Sequence, residues 1–182
     1  MVRAVIFDCF GVLIGDAYVA IKTDYPELLA DPKRAAEWAD LSAKSGLGLI
    51  TSAERQERIV AMLGEIGISG RAALGSAIND IARNTNLLKE IKKLRKTYKT
   101  GLLSNVGIGF WSRFTKEETE EYFDDVILSY QVGLVKPDPK IFELAAQRLG
   151  VELSECVFSM TTKEMSPPPK NAACKASFIN GA

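Results

Sequence analysis

Val2-Arg3-Ala4-Val5-Ile6-Phe7-Asp8-Cys9-Phe10-Gly11-Val12-Leu13 opens the chain with an apolar run that stops abruptly on an acid and a glycine. A run this short and this rich in valine and isoleucine suits a buried strand better than a helix. The polar, glycine-containing segment after it then reads as a loop. In sheets built from parallel strands, ligands gather at the loops leaving the carboxyl ends of the strands. Asp8 therefore stands where chemistry is done in such folds, although a lone acid there is also an ordinary turn residue.

Downstream the texture changes twice. Residues 15–80 carry helical periodicity, punctuated by Tyr25-Pro26, Asp31-Pro32 and Ser45-Gly46. Thr51 and Glu54 have capping-box spacing ahead of Ile59, Val60 and Leu63, so a helix is expected from Ser52. This stretch is read as a small helical insertion. From Leu87 helices and strands alternate. Leu87, Leu88, Ile91 and Leu94 mark one face of a helix, and the lysines at 89, 92, 93 and 96 fall on its solvated face. Thr100–Leu103 is a strand ending at Ser104-Asn105. Thr115 and Glu118 cap another helix, and Val126–Leu128 is a third strand. Asp138 and Pro139 open a helix that Gly150 closes, and Cys156–Phe158 begins a fourth strand. The expected fold is α/β: a Rossmann-like parallel sheet with helices on both faces, built from residues 1–14 and 81–158, with 15–80 as an all-helical insertion.

Composition narrows the chemistry. The 182 residues hold 23 basic and 23 acidic side chains and no histidine. Balanced, interspersed charge argues against nucleic acid or an acidic membrane as the main partner. Without histidine there is no Ser-His-Asp or Cys-His catalysis and no His-liganded zinc. Cys9, Cys156 and Cys174 form no CxxC pair and are too few for a disulfide framework. Apolar runs are short and no signal peptide is read, so a cytoplasmic protein is expected. Any catalysis must use carboxylate, hydroxyl, lysine or metal.

Three polar features lie just past strand ends: Asp8, Ser104-Asn105, and Lys136 within Gly133-Leu134-Val135-Lys136-Pro137-Asp138-Pro139. Singly each is a commonplace turn or helix entry. Together, parallel strands deliver them to one crevice, with Asp8 as a carboxylate nucleophile and Lys136 as its counter-charge. Ser104 with nearby amides would cradle an anion.

Phe7-Asp8-Cys9-Phe10-Gly11-Val12-Leu13, Leu102-Leu103-Ser104-Asn105 and the Lys136 segment resemble, in order, three motifs of the haloacid-dehalogenase hydrolases whose helical cap follows the first strand. The resemblance covers residues 1–158. It implies that Asp8 forms a covalent aspartyl intermediate that water hydrolyses. It also implies that Ser104, Asn105 and Lys136 hold the phosphate, with Phe10 beside the substrate. In the family's phosphatases Mg²⁺ is bound by the residue matching Asp8, by the main-chain carbonyl matching that of Phe10, and by an acid of a fourth motif.

Two departures qualify this expectation. Phosphatases of the family carry a second acid two positions after the nucleophile, to protonate the leaving alkoxide. Here that position is Phe10, which has no proton to give. A halide needs none, and the family's dehalogenases have an aromatic residue there. The fourth motif is also missing: after Phe158 the chain reads Ser159-Met160-Thr161-Thr162-Lys163-Glu164-Met165-Ser166, then Pro167-Pro168-Pro169, which no helix interior accepts.

The genetic code offers a reason. Read one nucleotide earlier, the Met160–Thr161 overlap must encode aspartate, and the codon before it also does if Ser159 is TCG. The Met165–Ser166 overlap gives valine for any TCN serine. The proline run permits alanines, and the Ala172–Ala173 overlap permits glycine. These fall at the fourth motif's spacing, whereas the other shift meets a stop at Met160–Thr161. Residues 159–182 are therefore read as a frameshifted tail, in which the metal-ligand loop, a helix and the last strand are lost or altered. Weak Mg²⁺ binding follows, since few protein oxygens remain. The expected function is an aspartate-nucleophile hydrolase, phosphatase-like on a small phosphorylated metabolite and inactive if the tail is fatal. The alternatives are a 2-haloacid dehalogenase-type enzyme or a catalytically silent binding protein.

Overall fold

The computed structural model describes residues 1–109, 113–160 and 175–178. Five parallel strands form one sheet in the order β3-β2-β1-β4-β5: β1 (Ala4–Phe7), β2 (Lys99–Ser104), β3 (Asp125–Leu128), β4 (Cys156–Met160) and β5 (Lys175–Phe178). Side chains alternate across a strand, and here the alternation serves two cores. Ala4, Ile6, Leu103, Ile127 and Phe158 face α8 (Pro139–Arg148), where Phe142 meets Phe158 edge-on at 5.1 Å. Phe7, Leu102 and Leu128 face the opposite way, against Leu88 and Ile91 of α5 (Thr85–Leu94) and Phe123, which ends α6 (Lys116–Tyr122). Strands apolar on both faces are what a doubly covered parallel sheet requires.

Four helices lie between β1 and α5: α1 (Ala17–Asp24), α2 (Pro32–Gly46), α3 (Ser52–Glu65) and α4 (Gly70–Asn79). With the 3-10 turn Pro26–Leu29 between α1 and α2, they bury their own apolar cluster, in which Ile21, Leu28, Ile59, Met62 and Leu63 are fully enclosed. The capping boxes at Thr51/Glu54 and Thr115/Glu118 are both formed, and Asp138 caps α8 with Pro139 in its first turn. A one-turn helix α7 (Ser129–Val132) follows β3 directly. No helix among the described residues is long and apolar enough to cross a membrane.

One expectation is corrected. The last strand was expected to be lost or altered; it is not lost, and β5 pairs with β4 in parallel, from Val157 opposite Lys175 to Met160 opposite Phe178. Ladder hydrogen bonds come from the main chain, so an open strand edge recruits an extended segment without needing a particular side-chain pattern. Residues 161–174, including the three prolines and the site of the missing fourth motif, lie outside the described residues.

Candidate active site

β1 delivers Asp8 to the carboxyl edge of the sheet, where its amide donates to the Ser159 carbonyl at 3.0 Å. One carboxylate oxygen accepts from the Cys9 amide at 2.7 Å. The other lies 2.7 Å from the Lys136 ammonium, and both side chains are only 3% exposed. Two opposite charges this deeply buried are tolerated because each offsets the other's lost hydration. Lys136 Nζ also donates to the Leu103 carbonyl at 3.2 Å, so the end of β2 fixes the ammonium as well.

Asn105, expected in the anion cradle, is bound at both ends of its side-chain amide. Its Oδ1 accepts from the Lys136 amide at 2.8 Å, and its Nδ2 donates to the Lys136 carbonyl at 2.9 Å. Both ends of the amide thus clamp the backbone that carries the lysine. The Val106 amide is likewise held, by Ser129 Oγ at 2.9 Å, while that hydroxyl donates to the Gly46 carbonyl at the end of α2 at 2.6 Å. The β2 loop is therefore tied to the helical layer. Ser104 is fully buried in the end of β2, and its hydroxyl, like that of Ser159, meets no hydrogen-bond partner among the described residues. Burial, reinforced by the Asp8 charge, pushes the Cys9 thiol far above its ordinary range, so it offers no competing thiolate.

Above this floor lies a cavity of about 440 Å³. Asp8, Phe10, Asn105 and Lys136 all line it; Ser104 does not. Phe10 presents an aromatic wall where a proton donor would otherwise stand. The nearby acid Asp16 accepts from the Tyr18 and Val19 amides as the N-cap of α1. Further lining comes from residues that no motif announced, among them Tyr18 and Lys22 on α1, Trp38 on α2, Arg55 on α3, and Arg113 in the loop before α6. Helical periodicity placed those on α1–α3 in helices, but which face meets the cavity depends on how α1–α4 stack.

The described residues do not fit a tightly held divalent cation. They contain no group of three acid, cysteine or histidine side chains able to hold one. Asp8 and the Phe10 carbonyl are too few hard ligands by themselves. Beyond Met160 the sequence adds a single acid, Glu164.

The sequence profile of the haloacid dehalogenase-like hydrolases matches residues 2–158. The chain belongs to that family. Among curated relatives, the glyceraldehyde 3-phosphate phosphatase of Methanopyrus kandleri is 32% identical over 75 residues, which is 40% of this chain. That match spans about a third of the relative, 32% of its length. A family enzyme from Bacteroides thetaiotaomicron, bt-2542, superposes with a TM-score of 0.71 at 24% identity, covering 98% of this chain and 94% of that one. The same enzyme in complex with magnesium and inorganic phosphate gives 0.70 at 23% identity, covering 99% and 95%.

Proposed function

We propose that the cavity is the active site of a phosphatase-type hydrolase acting on a small phosphorylated molecule, with Asp8 as nucleophile and α1–α4 as the cap that encloses the substrate. The buried Asp8–Lys136 pair at 2.7 Å carries this reading. Asp8 Oδ attacks phosphorus, the bond to the leaving oxygen breaks, and an aspartyl phosphate forms. Water then attacks the phosphorus, releasing phosphate and restoring the carboxylate. Lys136 neutralises charge on the transferring group, and Asn105 fixes the ammonium's position through the backbone. Magnesium, seen with the Bacteroides enzyme, would add further charge stabilisation, but the residues around Asp8 do not complete a site for it.

Phe10 sets the substrate's leaving group. With no acid there, alkyl phosphates leave as poor alkoxides, whereas aryl and acyl phosphates depart unaided. The same residue favours a second reading, halide displacement from short 2-haloacids, because halide needs no proton. The test is a rate comparison on aryl, acyl and alkyl phosphates beside 2-chloropropionate, run on the present chain and on a frame-restored one. Phosphatase chemistry predicts aryl and acyl phosphates ahead of alkyl ones by about 100-fold or more, a general-acid-sized effect. Halide release alone would favour the second reading. Turnover of nothing by either chain would leave a ligand-binding protein.

A further inference from the structure

The helical layer meets the loops of the sheet along a seam that is also a wall of the cavity. Ser45, Gly46 and Ser52 line the cavity from the helical side, and Val106, Gly107 and Val135 line it from the other. The approach is close. A Cβ on Gly107 would stand 2.3 Å from Ser45 Oγ, and one on Gly46 would stand 3.1 Å from Val135 Cγ1. Thr51 and Ile108 form a parallel bridge across the same two segments. Any movement of α2 is therefore felt by the loops that carry Asn105 and Lys136.

Ser129, the first residue of α7, is fully buried in this seam. Its Oγ accepts from the Val106 amide at 2.9 Å and donates to the Gly46 carbonyl at 2.6 Å. Gly46 ends α2, where the helix has no amide of its own for its last carbonyls, so Ser129 serves that end from the core side. A second acceptor, the Val106 carbonyl, lies 3.1 Å from the same Oγ. A serine hydroxyl has one proton to give. With α2 seated, the shorter contact holds that proton at Gly46. With α2 raised, the proton can turn to Val106, and no buried donor is left unsatisfied, the state that would make separation costly. The hydroxyl suits a contact that is made and broken.

The contacts continue to the lysine. Val106 follows Asn105, whose side-chain amide holds the Lys136 N–H at 2.8 Å and the Lys136 carbonyl at 2.9 Å. Lys136 in turn stands 2.7 Å from Asp8. Resting on the phosphatase reading for what Lys136 does, we propose that Ser129 is a positioning residue that makes the placement of Lys136 depend on the seating of α2, its proton passing between Gly46 and Val106 as the layer moves. The lysine is then fully set only when the helical layer is down over the cavity.

Hydrogen exchange read by mass spectrometry on the full chain tests this without requiring turnover. Residues 44–49, 104–108 and 133–138 report the relay, and α5 and α8 report global stability. Ser129→Ala should speed exchange in all three segments by about 10-fold, the equivalent of one hydrogen bond, and leave α5 and α8 unchanged. Ser129→Thr, which keeps the hydroxyl, should return most of that protection. Gly46→Ala presses α2 away from Val135 with Ser129 intact, and it should speed exchange at 104–108, where no atom has been altered. Inorganic phosphate, titrated by calorimetry, should bind Ser129→Ala about 10-fold more weakly than wild type. Faster exchange confined to 104–108 in Ser129→Ala would make the serine an ordinary turn residue and overturn the proposal. So would a rise shared equally by α5 and α8. Should the added methyl keep Ser129→Thr from folding, Gly46→Ala decides alone, and an unchanged 104–108 segment overturns the relay. Phosphate bound equally by wild type and Ser129→Ala would overturn the dependence of Lys136 on the seam. No phosphate binding by either, with the exchange pattern as expected, would keep the relay and overturn the phosphatase reading.

Discussion

Removing one member of a buried ion pair leaves the other charge stranded, which typically costs about 3–5 kcal/mol. Lys136→Met should therefore lower stability by about that much, and Asp8→Asn should abolish turnover while keeping the fold. The double variant Asp8→Asn/Lys136→Met should recover part of the loss, because no charge remains buried; denaturant unfolding of all four proteins checks this. Asn105→Ala removes two hydrogen bonds from the Lys136 backbone and should cost about 1–3 kcal/mol. If Asn105 positions the lysine rather than binding substrate, kcat should fall while KM moves little. At this scale the sequence disclosed Asp8, Phe10 and Lys136, because a motif fixes a residue's place relative to a strand end. The particular work of Asn105 was not legible. A side-chain amide can face the ligand or turn to a neighbouring backbone, and the choice belongs to loops that only the folded sheet brings together. The bridge from Gly46 through Ser129 to Val106 was invisible for the same reason: its members come from α2, α7 and the loop after β2.

Helix entries were legible because capping is local. Thr51, Thr115 and Asp138 each satisfy the amides of the turn that follows, whatever the rest of the chain does. The crossing of α3 and α4 was not. A Cβ on Gly70 would stand 2.3 Å from the Val60 carbonyl oxygen and 2.7 Å from its Cα. These are backbone atoms that cannot swing away, so Gly70→Ala should force the two helices apart and destabilise by about 1–3 kcal/mol in a thermal or urea melt. Where α6 runs into β3, Asp124 gives a pH signature. Burial raises its pKa, but the Thr100 amide at 2.8 Å and the charges of Lys99 and Arg95 outweigh it, leaving the carboxyl below its ordinary 3.8. A depressed folded pKa means stability that is present above the unfolded value and lost as pH falls through the folded one. The stability gap between wild type and Asp124→Asn should accordingly shrink from about pH 5 to about pH 2. A gap that stayed constant would mean the carboxylate contributes nothing through its charge. The presence of β5 was not legible because its pairing rests on main-chain ladder bonds, which no side-chain pattern announces.

Across the whole molecule, two faces of one sheet and a separate helical cluster bring a buried aspartate and lysine under a roof of cations and aromatic rings. The acids expected to complete a metal site fall where the sequence reads as a shifted frame. Restoring that frame should add measurable Mg²⁺ affinity and raise the melting temperature, and TCG at codon 159 of the gene would support the shift where AGC or AGT would oppose it. The account's central claim is that Asp8 takes the phosphoryl group. Borohydride reduces an aspartyl phosphate to homoserine, so both the present and the frame-restored chain can be quenched with it during turnover of an aryl phosphate and mapped by peptide mass spectrometry. The account predicts homoserine at residue 8 and at no other aspartate, in proportion to each chain's activity. Turnover with an unreduced Asp8, or with homoserine elsewhere, would contradict it.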